Sequence, residues 1–73
     1  MTLRLVREMP NGETRRHNGL TDKRQAASAA AYVLTDNNVT DKHKAALIAA
    51  AIEASPIGES VQAYGYTFTI ESE

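Results

Sequence analysis

At 73 residues with 42% hydrophobic content, the chain has room for one small core, in the size range where a domain folds alone only marginally. The absence of cysteine excludes disulfides, thiolate metal sites and cysteine nucleophiles, and a net charge of −1 excludes the global basic field that announces a nucleic-acid binder. The charge is unevenly spread, with +3 on residues 1–25 and −4 on residues 26–73, so a dipolar molecule is expected.

Charges interrupt the apolar run that a secretory signal would need in Thr2-Leu3-Arg4-Leu5-Val6-Arg7-Glu8, and no segment reaches the length of a membrane span. The expectation is a cytoplasmic protein without membrane association. Residues 2–8 read as a strand with Leu3 and Leu5 on one face. Met9-Pro10-Asn11-Gly12 follows as a turn, because proline presets φ at the second turn position and glycine accepts the positive φ that closes a bulged hairpin. Residues 13–18 form a candidate returning strand, and since it has no large apolar residue it belongs at an edge.

Two helices are announced by an echo at an offset of 19 residues: Leu20-Thr21-Asp22-Lys23-Arg24 and Val39-Thr40-Asp41-Lys42-His43. In each copy the threonine is placed to cap an orphan backbone N–H and the aspartate sits at the positive end of the macrodipole. The predicted spans are 22–36 and 41–54, joined by Asp36-Asn37-Asn38 into an antiparallel helical hairpin. The Asn38-Val39-Thr40 sequon reads as loop followed by cap rather than as a glycosylation site. At 100° per residue, Ala26, Ala27, Ala30, Val33 and Leu34 share one stripe, as do Ala45, Ile48, Ala49, Ala51 and Ile52. Twelve alanines supply much of both stripes, so the two axes can approach closely. Tyr32 falls on the polar side of the first helix and Leu47 at the border of the second.

Ser55-Pro56 ends the second helix, since proline disfavours helical geometry in the residue before it. Residues 60–71 then alternate as one long strand with Gln62, Tyr64, Tyr66, Phe68 and Ile70 on one face. A tight hairpin at Gly65-Tyr66 is the less favoured alternative. The fold class is α+β: a single domain over 1–73 in the order β(β)ααβ, with the helical hairpin on one face of a two- or three-stranded, mostly antiparallel sheet.

Few residues point to chemistry. His17 and His43 lack a second ligand at metal spacing, no serine occupies a nucleophile elbow, and no glycine-rich loop leads into a helix, so neither catalysis nor a cofactor or metal is expected. The candidate contact surface is the basic cluster Arg7, Arg15, Arg16, His17, Lys23 and Arg24. It suits a protein partner or, as the alternative, nucleic-acid phosphates met by a basic hairpin. Tyr32, Leu47, Tyr64 and Tyr66 are candidate interface residues, and a homodimer through the C-terminal strand or the Ala-rich helices is expected. These readings describe a non-enzymatic accessory or adaptor protein. Stand-alone domains of this kind are common among phage and mobile-element products, which sets an expectation of origin.

Overall fold

The computed structural model describes residues 2–73, which form β1 (Leu3–Glu8), β2 (Thr14–Leu20), α1 (Lys23–Asp36), α2 (Lys42–Ala54), β3 (Ser60–Ala63) and β4 (Tyr66–Ser72). The strands make one antiparallel sheet in the order β2-β1-β4-β3, with α1 and α2 packed as an antiparallel pair over one face. The α+β class and the two-helix hairpin are as expected from the sequence; the sheet has four strands rather than two or three.

The first hairpin closes as its residues dictate. Gly12 N–H donates to the Met9 carbonyl at 2.9 Å and Met9 N–H to the Glu13 carbonyl at 2.8 Å, the pattern of a turn followed by a bulge. The returning strand is present, but it runs to Leu20 because of a second bulge. Leu5 lies opposite His17 while Leu3 lies opposite Leu20, so one extra residue is absorbed at Asn18-Gly19. Without it, strict alternation from His17 would turn Leu20 onto the far face. Gly19 takes φ +77° there, a conformation that a side chain would strain, and Leu20 enters the core.

Each helix begins one residue later than the threonine reading implies. The N-caps are Asp22 and Asp41, whose carboxylates accept from Gln25 N–H at 2.9 Å and Lys44 N–H at 2.8 Å. An aspartate at this position caps and also places its charge on the macrodipole, two effects that threonine cannot combine. The Gln25 side chain in turn accepts from Thr21 N–H at 2.9 Å, a reciprocal capping arrangement shifted by one residue. At the end of α1, Val39 N–H reaches the Leu34 carbonyl and Asn38 N–H the Thr35 carbonyl, with Asn38 at φ +54°. This Schellman motif reverses the chain and lays Val39 against the core.

The long C-terminal strand is instead a hairpin. Ala63 pairs with Tyr66, and the two-residue loop Tyr64-Gly65 has φ of +54° and +81°, the type I′ geometry. The turn lies one residue before the alternative weighed from sequence. It also resets the parity: Val61 and Ala63 join Tyr66, Phe68 and Ile70 on the helix-covered face, whereas Gln62 faces away and Tyr64 stands in the turn. Gly65 lies against the first hairpin, where an added Cβ would meet the Pro10 ring at 3.1 Å.

The core comprises Leu3, Leu5 and Leu20 of β1 and β2, Ala26, Ala27, Ala30 and Leu34 of α1, Ala45 and Ile52 of α2, and Tyr66, Phe68 and Ile70 of β4. Of the expected helical stripes, Val33, Ile48 and Ala49 are half-buried and Ala51 is exposed. The Tyr66 and Phe68 rings stack with centroids 5.8 Å apart, filling the volume that the alanines leave.

Candidate functional site

Among the described residues no group of three His, Asp or Glu side chains is placed to hold a metal, and no helix is long and apolar enough to cross a membrane. The sheet face opposite the helices is polar and internally paired. There Arg4 Nε donates to Glu71 at 2.9 Å across β1 and β4, and the Ser60 and Thr69 hydroxyls meet at 2.7 Å across β3 and β4. Beside it, Glu73 accepts from the Thr2 hydroxyl and from the N–H of the bulge residue Gly19, each at 2.7 Å. These two hydrogen bonds hold its carboxyl below the ordinary value of 4.5.

The six basic residues singled out from the sequence separate into two groups. Arg7 lies directly opposite Arg15, and Leu5 directly opposite His17, so Arg7, Arg15 and His17 share the helix-side face of the β1–β2 ladder. Arg16 lies opposite Val6 and points to the other face. Lys23 and Arg24 begin α1 beside Leu3, Glu53 and Ile57, at the other end of β1, four strand residues or roughly 13 Å from Arg7. Two cations in the first turn of a helix oppose its macrodipole, at a cost of about 0.3–1 kcal/mol each.

Arg7 is the unusual member. It is half-buried, bracketed by Arg15 on β2 and Phe68 on β4, and no carboxylate lies within ion-pair distance of it among the described residues. Its Nε is buried with no hydrogen-bond partner. A buried donor in that state costs about 1–3 kcal/mol, and like charges directly opposite one another add to the cost. Arg15 is exposed and touches Glu13 at 3.5 Å, a separation and exposure at which an ion pair contributes little. Arg7, Arg15, Arg16, His17, Asn18 and Leu5 line a hollow of about 330 Å³.

A second feature lies on the outer side of the helical layer. From Ala45 to Ile52 the chain holds no polar residue, yet only Ala45 and Ile52 of that run are buried. Leu47 is 63% exposed, Tyr32 on α1 is 75% exposed, and Ala46, Ala50 and Ala51 are open beside them. Tyr32, Ala31, Ala45 and Ala46 line a shallow groove between the helices, with Asp36 and Lys42 at its margin.

The other two candidate interface residues part company. Tyr64 is half-exposed at its turn, its hydroxyl accepting from Thr40 at 3.3 Å, whereas Tyr66 is 9% exposed and belongs to the core. The predicted C-terminal strand divides in this respect: β4 is paired by β1 on one side and β3 on the other, whereas β3 keeps an open edge, as does β2. Sequence reading passed over the charge pattern of α2, although Lys42 and Glu53 are visible as an i, i+11 pair. It also grouped Arg7 with its neighbours without separating it from them.

Comparison with protein-family models, with curated proteins and with solved structures gave no match to this chain.

Proposed function

We propose that the chain is a non-catalytic accessory protein that works by binding protein, and that its outer α2 face docks a second copy of itself. The observation that carries this reading is the run Ala45–Ile52, apolar around the whole helix and covered on one side only. A helix that is hydrophobic all round belongs in an interior, and Leu47 has none within the monomer. The charges specify the partner. Lys42 and Glu53 are eleven residues apart, three turns, and lie on the same line of the helix with Ala46 and Ala49 between them. Packing two copies of α2 antiparallel about a two-fold axis with Leu47 and Ala50 at the centre sets Lys42 of each level with Glu53 of the other on one flank of the seam, since that line lies roughly 100° round the helix from the central pair. The alanines allow the axes to approach closely, and the rim charges set register more than affinity.

Light scattering across a dilution series tests this. A concentration-dependent dimer mass is expected, and Leu47→Glu should return a folded monomer with an unchanged far-UV spectrum. A monomer mass for the unaltered chain at every concentration removes the reading.

Binding of nucleic acid by the basic hairpin is the second reading, favoured by Arg7, Arg15 and His17 lying on one face. Against it stand the divergence of Arg16 and the distance to Lys23 and Arg24, which leave two arginines and a histidine for any one duplex. Fluorescence anisotropy with labelled DNA and RNA at low salt, where phosphate-driven affinity is strongest, tests it; absence of binding there rejects it.

A further inference from the structure

We propose that the hollow between β1 and β2 is a binding site for a phosphoryl group, carried by free phosphate or by a small phosphate monoester. The inference is independent of the dimer.

Four observations converge on it. Arg7 and Arg15 stand directly opposite each other across β1 and β2 with His17 one step along the same face, so three nitrogen-bearing side chains open onto one hollow. That face is undercompensated: its carboxylate, Glu13, reaches Arg15 at 3.5 Å and does not reach Arg7. The Arg7 Nε is buried without a hydrogen-bond partner, so no bond within the fold anchors this guanidinium, whose outer nitrogens are left to serve a ligand. Finally, the hollow is about 330 Å³, at the lower end of the roughly 300–1,000 Å³ range of small-ligand sites, and buried Leu5 supplies an apolar part of its wall.

The donor set selects the ligand. A planar carboxylate is served by a single guanidinium, whereas two guanidiniums and an imidazole from adjacent strands present donors along several directions, which suits the tetrahedral oxygens of a phosphoryl group. Leu5 offers a carbon body somewhere to rest, so a monoester fits the hollow better than bare phosphate. An anion held there also screens the Arg7–Arg15 repulsion, so ligand and fold stabilise each other. Lys23 and Arg24, at the other end of β1, take no part.

The test is a titration of the isotopically labelled full chain, followed through its amide and arginine Nε–H resonances. The probes are inorganic phosphate, phenyl phosphate, acetate and a short single-stranded DNA, all at constant ionic strength. Saturable shifts confined to Arg7, Arg15, His17 and their neighbours are expected with phosphate and phenyl phosphate, the ester binding more tightly, and none with acetate. Arg15→Gln, on the exposed strand, should weaken binding roughly tenfold or more, as loss of a charge-assisted pair requires, and Arg7→Gln should abolish it. Lys44→Gln, which removes one charge from α2, should leave it unchanged. Shifts that do not saturate, an equal response to acetate, or equal loss in Lys44→Gln would overturn the site. So would DNA binding far tighter than phosphate that depends equally on Lys23 and Arg24, since that outcome assigns the cluster to an extended nucleic-acid surface.

Discussion

Replacing Arg7 by methionine should make the protein more stable. Methionine keeps most of the length of the half-buried stem, so packing against Phe68 and Leu5 is largely retained while the guanidinium is removed. Two unfavourable contributions go with it: the orphaned Nε, costing about 1–3 kcal/mol, and the directly opposed charge of Arg15, costing about 0.2–1 kcal/mol. Part of the gain is offset because the outer nitrogens of the guanidinium keep their hydration in the native chain, so the expected net stabilisation is about 1–2 kcal/mol. In a domain of this size each kcal/mol moves the melting temperature by about 4–8 °C, and the urea midpoint by up to about 1 M. Paired urea and thermal unfolding of Arg7→Met and the native chain, in low salt without phosphate, reads the effect directly. The advantage should shrink as phosphate is added, because only the native chain gains from it. A destabilised Arg7→Met protein would show that the arginine is satisfied in solution and would refute the reasoning.

Asp22→Ala should cost about 1 kcal/mol in urea unfolding while Thr21→Ala costs a few tenths, with the same ranking for Asp41 and Thr40; larger losses at the threonines would restore the threonine caps. At the type I′ turn, Tyr64→Asn and Tyr64→Ala both remove the ring, but asparagine tolerates the left-handed conformation. It should be the more stable of the two by about 1 kcal/mol, and equal midpoints would contradict the turn geometry. Because the hydrogen bonds of Glu73 depress its pKa, their contribution is complete above the ordinary value of 4.5 and is lost as pH falls through the lower folded value. The stability gap between the native chain and Glu73→Gln should therefore be present at neutral pH and close in acid, as urea midpoints at the two pH values will show.

How much of this was legible in the sequence depended on whether a feature is local. Pro10-Gly12, Ser55-Pro56 and the paired Thr-Asp starts carry their geometry in four or five adjacent residues, and the elements they delimit stand within a residue or two of where they were expected. The cap moved from threonine to aspartate because both side chains can accept from a helix N–H, and it is the aspartate that takes the extended torsions of an N-cap. Strand parity is different in kind. The Asn18-Gly19 bulge and the Tyr64-Gly65 turn each change which face every later residue takes; the Asn-Gly pair of the first sits within a strand as a bulge rather than in a hairpin turn, and the second lacks the Asn-Gly or Asp-Gly signature that flags a two-residue turn. A tyrosine in a left-handed position hides a turn well. The basic cluster was legible as composition, but the isolation of Arg7 follows from the register of three strands, which no local window contains.

The chain's lack of cysteine makes the central claim, docking of a second copy on the outer α2 face, directly measurable. Single cysteines at Ala50 on α2, Gln62 on β3 and Thr14 on β2, treated with a short bismaleimide, report which surfaces of two copies meet. A covalent dimer is expected from Ala50→Cys, suppressed when Leu47→Glu is added, and monomer from the other two. Efficient cross-linking through Gln62→Cys or Thr14→Cys with none through Ala50→Cys would place the contact on a sheet edge and contradict it.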